Sequence, residues 1–161
     1  MTRATTRVPA GTLALITAWR NAILTLADPA VEVYDGAPSV PLAEIPDDAV
    51  IVFGSIGEQM AVSGTRTGPN GLLPHDEETF AISFAISSVR DLGDTALARA
   101  RVAEILGALE TLLTADMKLG GAVNRARLGP TFAWDVRKTG RGEGEAIEVA
   151  YRGSVEIKAL L

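Results

Sequence analysis

The sequence predicts an α+β fold: a single, mostly antiparallel β-sheet packed with two main helices, in one domain spanning residues 1–161. Three observations predict it. Phe80, Ile82, Phe84 and Ile86 alternate strictly with Ala81, Ser83, Ala85 and Ser87, the two-residue period of a strand. Ala98, Val102, Ile105, Leu106, Leu109, Leu112 and Leu113 recur at three- and four-residue spacing, the period of a helix with one apolar face. The last third returns to alternation, with Phe132, Trp134 and Val136 sharing one parity and Ile147, Val149, Tyr151, Val155, Ile157 and Ala159 sharing another.

The first element reads as a helix from about Pro9 to Ala27. Leu13, Ile16, Trp19, Ile23 and Leu26 line one face, Pro9 suits the first turn, and Asp28-Pro29 stops it. Val31–Tyr34 reads as a short strand ended by the Asp35-Gly36 turn. After a proline-broken connection, Val50-Ile51-Val52-Phe53 forms an apolar run that suits a strand buried on both faces. From Gly54 to Glu78 the regular signals weaken, and this segment is expected to be a long loop or hairpin insertion; Glu58–Ser63 could hold a short strand. The clear strand at Phe80–Ser87 follows, and its small second face predicts close packing there. Asp94 is placed to cap the helix that runs to about Thr114, with Arg99, Glu104 and Glu110 facing away from the core. Gly120-Gly121 breaks the pattern. Two strands then close the chain, joined by a hairpin turn at Gly140–Gly144, where glycine accepts positive φ. Phe132, Trp134 and Val136 are expected to face the same core as Phe80–Ile86, Val149, Tyr151 and Val155.

Composition narrows the function. There is no cysteine, which excludes disulfides and thiolate metal sites and fits assembly in a reducing compartment. Hydrophobic residues make up 47% and aromatic ones 5%, so the core is mainly aliphatic. A net charge of −5 argues against a dedicated nucleic-acid binder. No apolar run approaches the roughly 20 residues that span a bilayer, and the amphipathic start is no signal peptide; a soluble, unprocessed chain is expected.

Chemistry-bearing patterns are sparse. The single histidine, His75, sits in a polar loop stretch, where an ordinary surface histidine is the commoner reading. A zinc site lacks ligands. Asp47-Asp48 and Asp76-Glu77-Glu78 are adjacent carboxylates in loops, which reads as solvated charge rather than a glycosidase pair; an enzyme with a carboxylate site at Asp76–Glu78 is the least favoured reading. Gly140, Gly142 and Gly144 precede a strand, not a helix, so they mark a turn rather than a dinucleotide fingerprint. Arg125, Arg127, Arg137, Lys138 and Arg141 are interleaved with Asp135, Glu143 and Glu145, a weak footprint for nucleic acid. No catalytic, cofactor-binding or metal-ligating residue is assigned.

The order of local features adds a resemblance over most of the chain. The N-terminal helix is followed by Val31-Glu32-Val33-Tyr34-Asp35-Gly36-Ala37-Pro38, then by a strand ending in Val52-Phe53-Gly54. Phe80–Ser88, the Gly93-Asp94-Thr95 entry to a helix carrying Ala100-Arg101 and Leu109-Glu110, and Asp116–Val123 with Leu119-Gly120-Gly121-Ala122-Val123 come next. A strand pair ending in Val155-Glu156-Ile157-Lys158-Ala159 closes the series. This order resembles the tail terminator proteins of long-tailed bacteriophages, also called tail-tube terminators or minor tail completion proteins.

The resemblance implies a structural, non-enzymatic role with no cofactor: a homohexameric ring on the head-proximal end of the tail tube, assembled in the host cytoplasm and carried in the virion neck. Its implied partners are other copies of itself, the tail tube protein and the head-tail connector or stopper protein, with DNA passing through the lumen and no membrane involved. The segment from Gly54 to Glu78 matches least. The apolar side chains of Ile56, Met60, Val62, Leu72 and Leu73 need cover, so these and Arg66 are the candidate subunit or tube contacts, expected to reach a neighbour; folding back as an extra hairpin is the alternative. Another neck or tail-completion protein, and a small-ligand-binding α+β module with an apolar pocket under the long loop, are the other readings.

Overall fold

The computed structural model describes residues 6–41, 44–53, 62–67, 77–141 and 144–161. The first helix, α1, spans Val8–Ile23 with Pro9 in its opening turn. It buries Thr12, Leu15, Ile16, Trp19 and Ile23. Two expectations are corrected here. The helix ends at Ile23 rather than near Ala27, with turns over Leu24–Leu26. Leu15 completes the apolar stripe, while Leu13 lies outside it and is 63% exposed. Gly11 sits where α1 presses on the sheet: a Cβ there would stand 3.2 Å from the Phe80 ring and 3.3 Å from Val123.

Seven described strands form one mixed sheet. They are β1 (Glu32–Asp35), β2 (Asp48–Val52), β3 (Val62–Thr67), β4 (Glu77–Asp91), β5 (Arg125–Leu128), β6 (Ala133–Arg141) and β7 (Gly144–Leu160). β4 and β7 are its spine, paired antiparallel from Glu77↔Leu160 to Asp91↔Ala146. Each spine strand carries two partners end to end. β2 and β3 lie along β4, and β5 and β6 lie along β7. β1 joins β2 in parallel, at one side of the sheet. The α+β expectation holds.

The alternation of β4 and β7 decides the core. Phe80, Ile82, Phe84 and Ile86 are opposite Ile157, Val155, Gly153 and Tyr151, so these side chains share one face. α2 (Thr95–Ala115) lies across that face, with Ala98, Val102, Ile105, Leu109 and Leu113 buried against it. Trp19 of α1 ties the layers together: its ring meets Phe84 edge-on at 5.1 Å and its Nε1 donates to the Ile105 carbonyl at 3.3 Å. Arg99, Glu104 and Glu110 are exposed, as the spacing predicted. Asp94 holds the N-cap position, but its side chain makes no capping bond. On the other face of the sheet, Ala85 and Ser87 are buried with Ala49 and Ile51 of β2, in line with close packing on that small-residue face.

Further details of the sheet go beyond the sequence reading. Within the segment expected as a long loop or hairpin insertion, Val62–Thr67 forms β3, paired with β4 from Val62↔Ile82 to Thr67↔Glu77. β4 begins at Glu77, so Glu77 and Glu78 belong to a strand. β5, at Arg125–Leu128, carried too short an alternation to be read from sequence.

Phe132, Trp134 and Val136 also depart from expectation. They share the parity of the core residues, and β6 pairs Trp134 with Tyr151 and Val136 with Val149. Yet they are 60%, 40% and 51% exposed. α2 packs over β4 and β7 and the short β5. β6 lies beyond that cover.

Candidate functional site

The most distinctive surface is this uncovered row, with Phe132 just before β6 and Trp134 and Val136 on it. An aromatic series runs from the interior to it. Phe84 stacks on Tyr151 at 5.9 Å, Phe132 stacks on Tyr151 at 5.8 Å, and Trp134 meets Tyr151 edge-on at 5.3 Å. Gly153 makes room within the series, because a Cβ there would stand 2.9 Å from the Tyr151 ring and 3.2 Å from the Phe84 ring. Burial first, and the Glu110 carboxylate second, push the Tyr151 phenol above its ordinary pKa, so it stays neutral. The result is a rigid apolar step beside α2, on a strand whose only described partner is β7. Rigid exposed aromatics on an edge strand mark a contact surface.

The two sides of the sheet differ sharply in charge. Residues 28–48, which contain β1 and its flanking loops, carry six carboxylates and neither lysine nor arginine. Residues 118–141, which contain β5 and β6, carry six cations against the one carboxylate of Asp135. Some of these charges are used internally on both sides: Arg127 pairs with Glu156 at 2.9 Å and Arg137 with Glu148 at 2.8 Å, while Asp28 and Asp48 pair with Arg101 at 3.7 and 2.9 Å.

Asp48 is the most heavily bonded of the described acids. Sequence reading placed it in a solvated pair, and the structure corrects that: it is buried at the start of β2. Ser88 Oγ donates to Oδ1 at 2.7 Å, Arg90 donates to both oxygens at 2.8 and 3.1 Å, and Arg101 Nε donates to Oδ2 at 2.9 Å. Burial alone would raise its pKa, but the hydrogen bonds from Arg90, Ser88 and Arg101 outweigh it and hold the carboxyl below its ordinary value. A carboxylate so saturated with donors is a poor proton acceptor. Its work is to fasten α2, through Arg101, onto β2 and β4. Arg101 also donates to the Asp28 carbonyl at 2.7 Å, which fixes the turn into β1. Spacing could have flagged Arg101, since it sits beside Val102 at the border of the α2 stripe.

Glu78 does similar work at the other end of β4. Thr6 Oγ1 and the Arg7 backbone N–H donate to its Oε1 at 2.9 and 2.8 Å, and Arg66 donates to Oε2 at 3.1 Å. Burial pushes its pKa up, and these bonds together hold it down. It anchors the start of α1. Glu77, on the opposite face of the strand, meets Lys158 at 3.3 Å. The pair is therefore split across the sheet rather than aimed at one substrate.

Of the predicted contact residues, Ile56, Met60, Leu72 and Leu73 lie outside the described residues, as do His75 and Asp76. Val62 is on β3, and Arg66 is tied to Glu78 of the same chain. An open groove of about 390 Å³ lies between the end of α2 and β5, lined by Leu113, Met117, Arg125 and Leu128 among others. Among the described residues, no three His, Cys, Asp or Glu groups are placed to hold a metal ion. No described helix is long and apolar enough to cross a membrane.

Fold and surface together define an α+β protein with helices on one face of its sheet, an exposed apolar row at one side and opposite charge at the two sides. No family model and no curated protein matches the chain. Among solved structures it is similar to a chain described as "Virion of native gene transfer agent (GTA) particle", at 17% identity and a TM-score of 0.38, covering 94% of this chain and 99% of that one. A likeness this loose defines neither a family nor a function.

Proposed function

We propose that the chain is a structural, non-enzymatic subunit of a long-tailed phage particle, which closes the head-proximal end of the tail tube as a homohexameric ring. The ring stops tube growth and offers the docking surface for the head connector, with DNA passing through its lumen. The observation that carries this reading is the exposed Phe132–Trp134–Val136 row, built on the core aromatic series and left without cover by α1 and α2. A subunit made to be covered by neighbours needs such a face, whereas an isolated domain exposes few contiguous aromatics. The ordered sequence features that resemble tail terminators supply the rest, and they fall at structural junctions. Asp35-Gly36 ends β1, Gly93-Asp94 enters α2, and Leu119-Gly120-Gly121 forms a left-handed turn tied by Asp116 Oδ2 to the Gly120 N–H at 2.7 Å.

The test is to mix the purified chain with polymerising tail-tube protein of the same particle. Rings by native mass spectrometry and negative stain, and tubes capped at one end, are expected. A monomer that leaves tube length unchanged overturns the reading.

A further inference from the structure

The two long sides of the sheet are complementary to each other, not to themselves. One side is β6, with the exposed apolar row and Lys138, backed by β5 with Arg125 and Arg127. The other is β1, with exposed Glu32 and Asp35, followed by a connection that carries exposed Glu44 and, 37% exposed, Val40. Leu24, at the end of α1 just before this segment, is 70% exposed. Each side thus carries an excess of one sign beside apolar side chains, with Asp135 the exception on the β6 side and Arg20 on the β1 side. Two copies meeting through the same side would oppose like charges, which costs affinity. Two copies meeting through different sides bring opposite charges together and cover apolar groups on both.

From this we infer that neighbouring copies of this chain associate head to tail, the β6 side of one on the β1 side of the next. The inference rests on the proposed ring reading for its context and adds which surfaces meet. A contact between two different patches leaves one of each unused on every open oligomer, so it propagates, and it yields the proposed ring where the rotation between neighbours closes.

The contact is made by side chains rather than by extending the sheet. The Gly36 N–H donates to the Val52 carbonyl at 2.8 Å, so in the parallel β1–β2 ladder the even-numbered positions of β1 point to β2 and Val33 points outward. Arg20 Nη2 donates to that outward Val33 carbonyl at 2.6 Å. The edge of β1 is thereby guarded against an added strand, as edges of soluble sheets commonly are.

Reversal of one charge on each side tests the inference. Lys138→Glu and Glu32→Lys are both exposed positions, and circular dichroism melts check that each variant is folded. By sedimentation, each single variant is expected to raise the self-association constant for dissociation about tenfold or more. A one-to-one mixture of the two variants, and the double variant, are expected to recover assembly, because reversed sides again meet opposite charge. A Glu32→Lys protein that assembles like the wild type, a mixture that fails to recover, or a wild type that stays monomeric overturns the inference. Variants that still assemble and still stop tube growth would remove this pairing and leave the proposed function standing. Charge-dependent assembly with no effect on tube length would do the reverse.

Discussion

Arg101 Nε donates to Asp48 Oδ2 over 2.9 Å, and neither side chain is more than 7% exposed. This contact joins the second turn of α2 to the first residue of β2, far away in sequence. It sets the rotation of α2, and so determines which of its residues face Ile86, Val149 and Tyr151. Arg90 and Ser88 share the same carboxylate, so the helix, β2 and β4 are locked at one point.

Removing the guanidinium from that point should be costly. Arg101→Ala is expected to destabilise the fold by about 3 kcal/mol, because a buried carboxylate loses a charged partner. Glu104→Ala removes only the exposed end of the 3.3 Å pair with Arg101 and should change stability by less than about 1 kcal/mol. Urea denaturation of both variants measures the difference, and equal costs would contradict the placement of the cluster.

Acid should weaken the protein through Asp48 and Glu78. Both carboxyls titrate below their ordinary values in the folded state, so the unfolded chain takes up protons first as pH falls. Their contribution is complete above the ordinary carboxylate range and is lost progressively through and below it. Urea midpoints from about pH 7 to about pH 3 should therefore fall, and Asp48→Asn should flatten the decline while lowering stability at neutral pH.

The α2 face predicts unequal neighbours. Leu109 is fully buried, and Leu109→Ala should cost about 2–5 kcal/mol. Glu110, one position on, is exposed, and Glu110→Ala should cost little. Thermal or chemical melts decide, and small equal effects would place the helix face wrongly.

Gly153 should resist even the smallest side chain. The added methyl of Gly153→Ala meets the Tyr151 and Phe84 rings, and the strain is expected to cost about 1–3 kcal/mol. Near-ultraviolet circular dichroism should report disturbed aromatic packing in the same variant.

Trp134→Ser separates folding from assembly. The ring is 40% exposed and contacts Tyr151 edge-on, so its loss should lower stability by about 1 kcal/mol. Self-association, measured by sedimentation, should fall much further. A variant that melts early and assembles normally would return Trp134 to the core.

Phe80–Ser87 and the α2 stripe were legible because each obeys one period over enough residues, and burial of one face needs nothing else. The turns at Asp35-Gly36 and Gly120-Gly121 were legible for a local reason: positive φ favours glycine, and Gly36, Gly120 and Gly121 all adopt it. β3 was hidden because Val62–Thr67 lacks alternation and is held by the hydrogen bonds of β4 rather than by a face of its own. Of the contact residues proposed from the Gly54–Glu78 segment, Val62 lies on β3 and Arg66 is paired with Glu78 of the same chain.

The amino-acid sequence by itself determined the periods, and with them the α+β class, the two helices, the long strands and the lack of thiol chemistry. Tertiary structure alone decided which equal-looking positions are covered. Asp48 looked like surface charge until Arg90 and Arg101 arrived from other elements to bond it. Phe132, Trp134 and Val136 looked like core because parity specifies a face of the sheet, not whether a helix lies over it. α2 crosses β4 and β7 and stops short of β6, and that lateral limit is set by packing between elements distant in sequence, which no local pattern encodes.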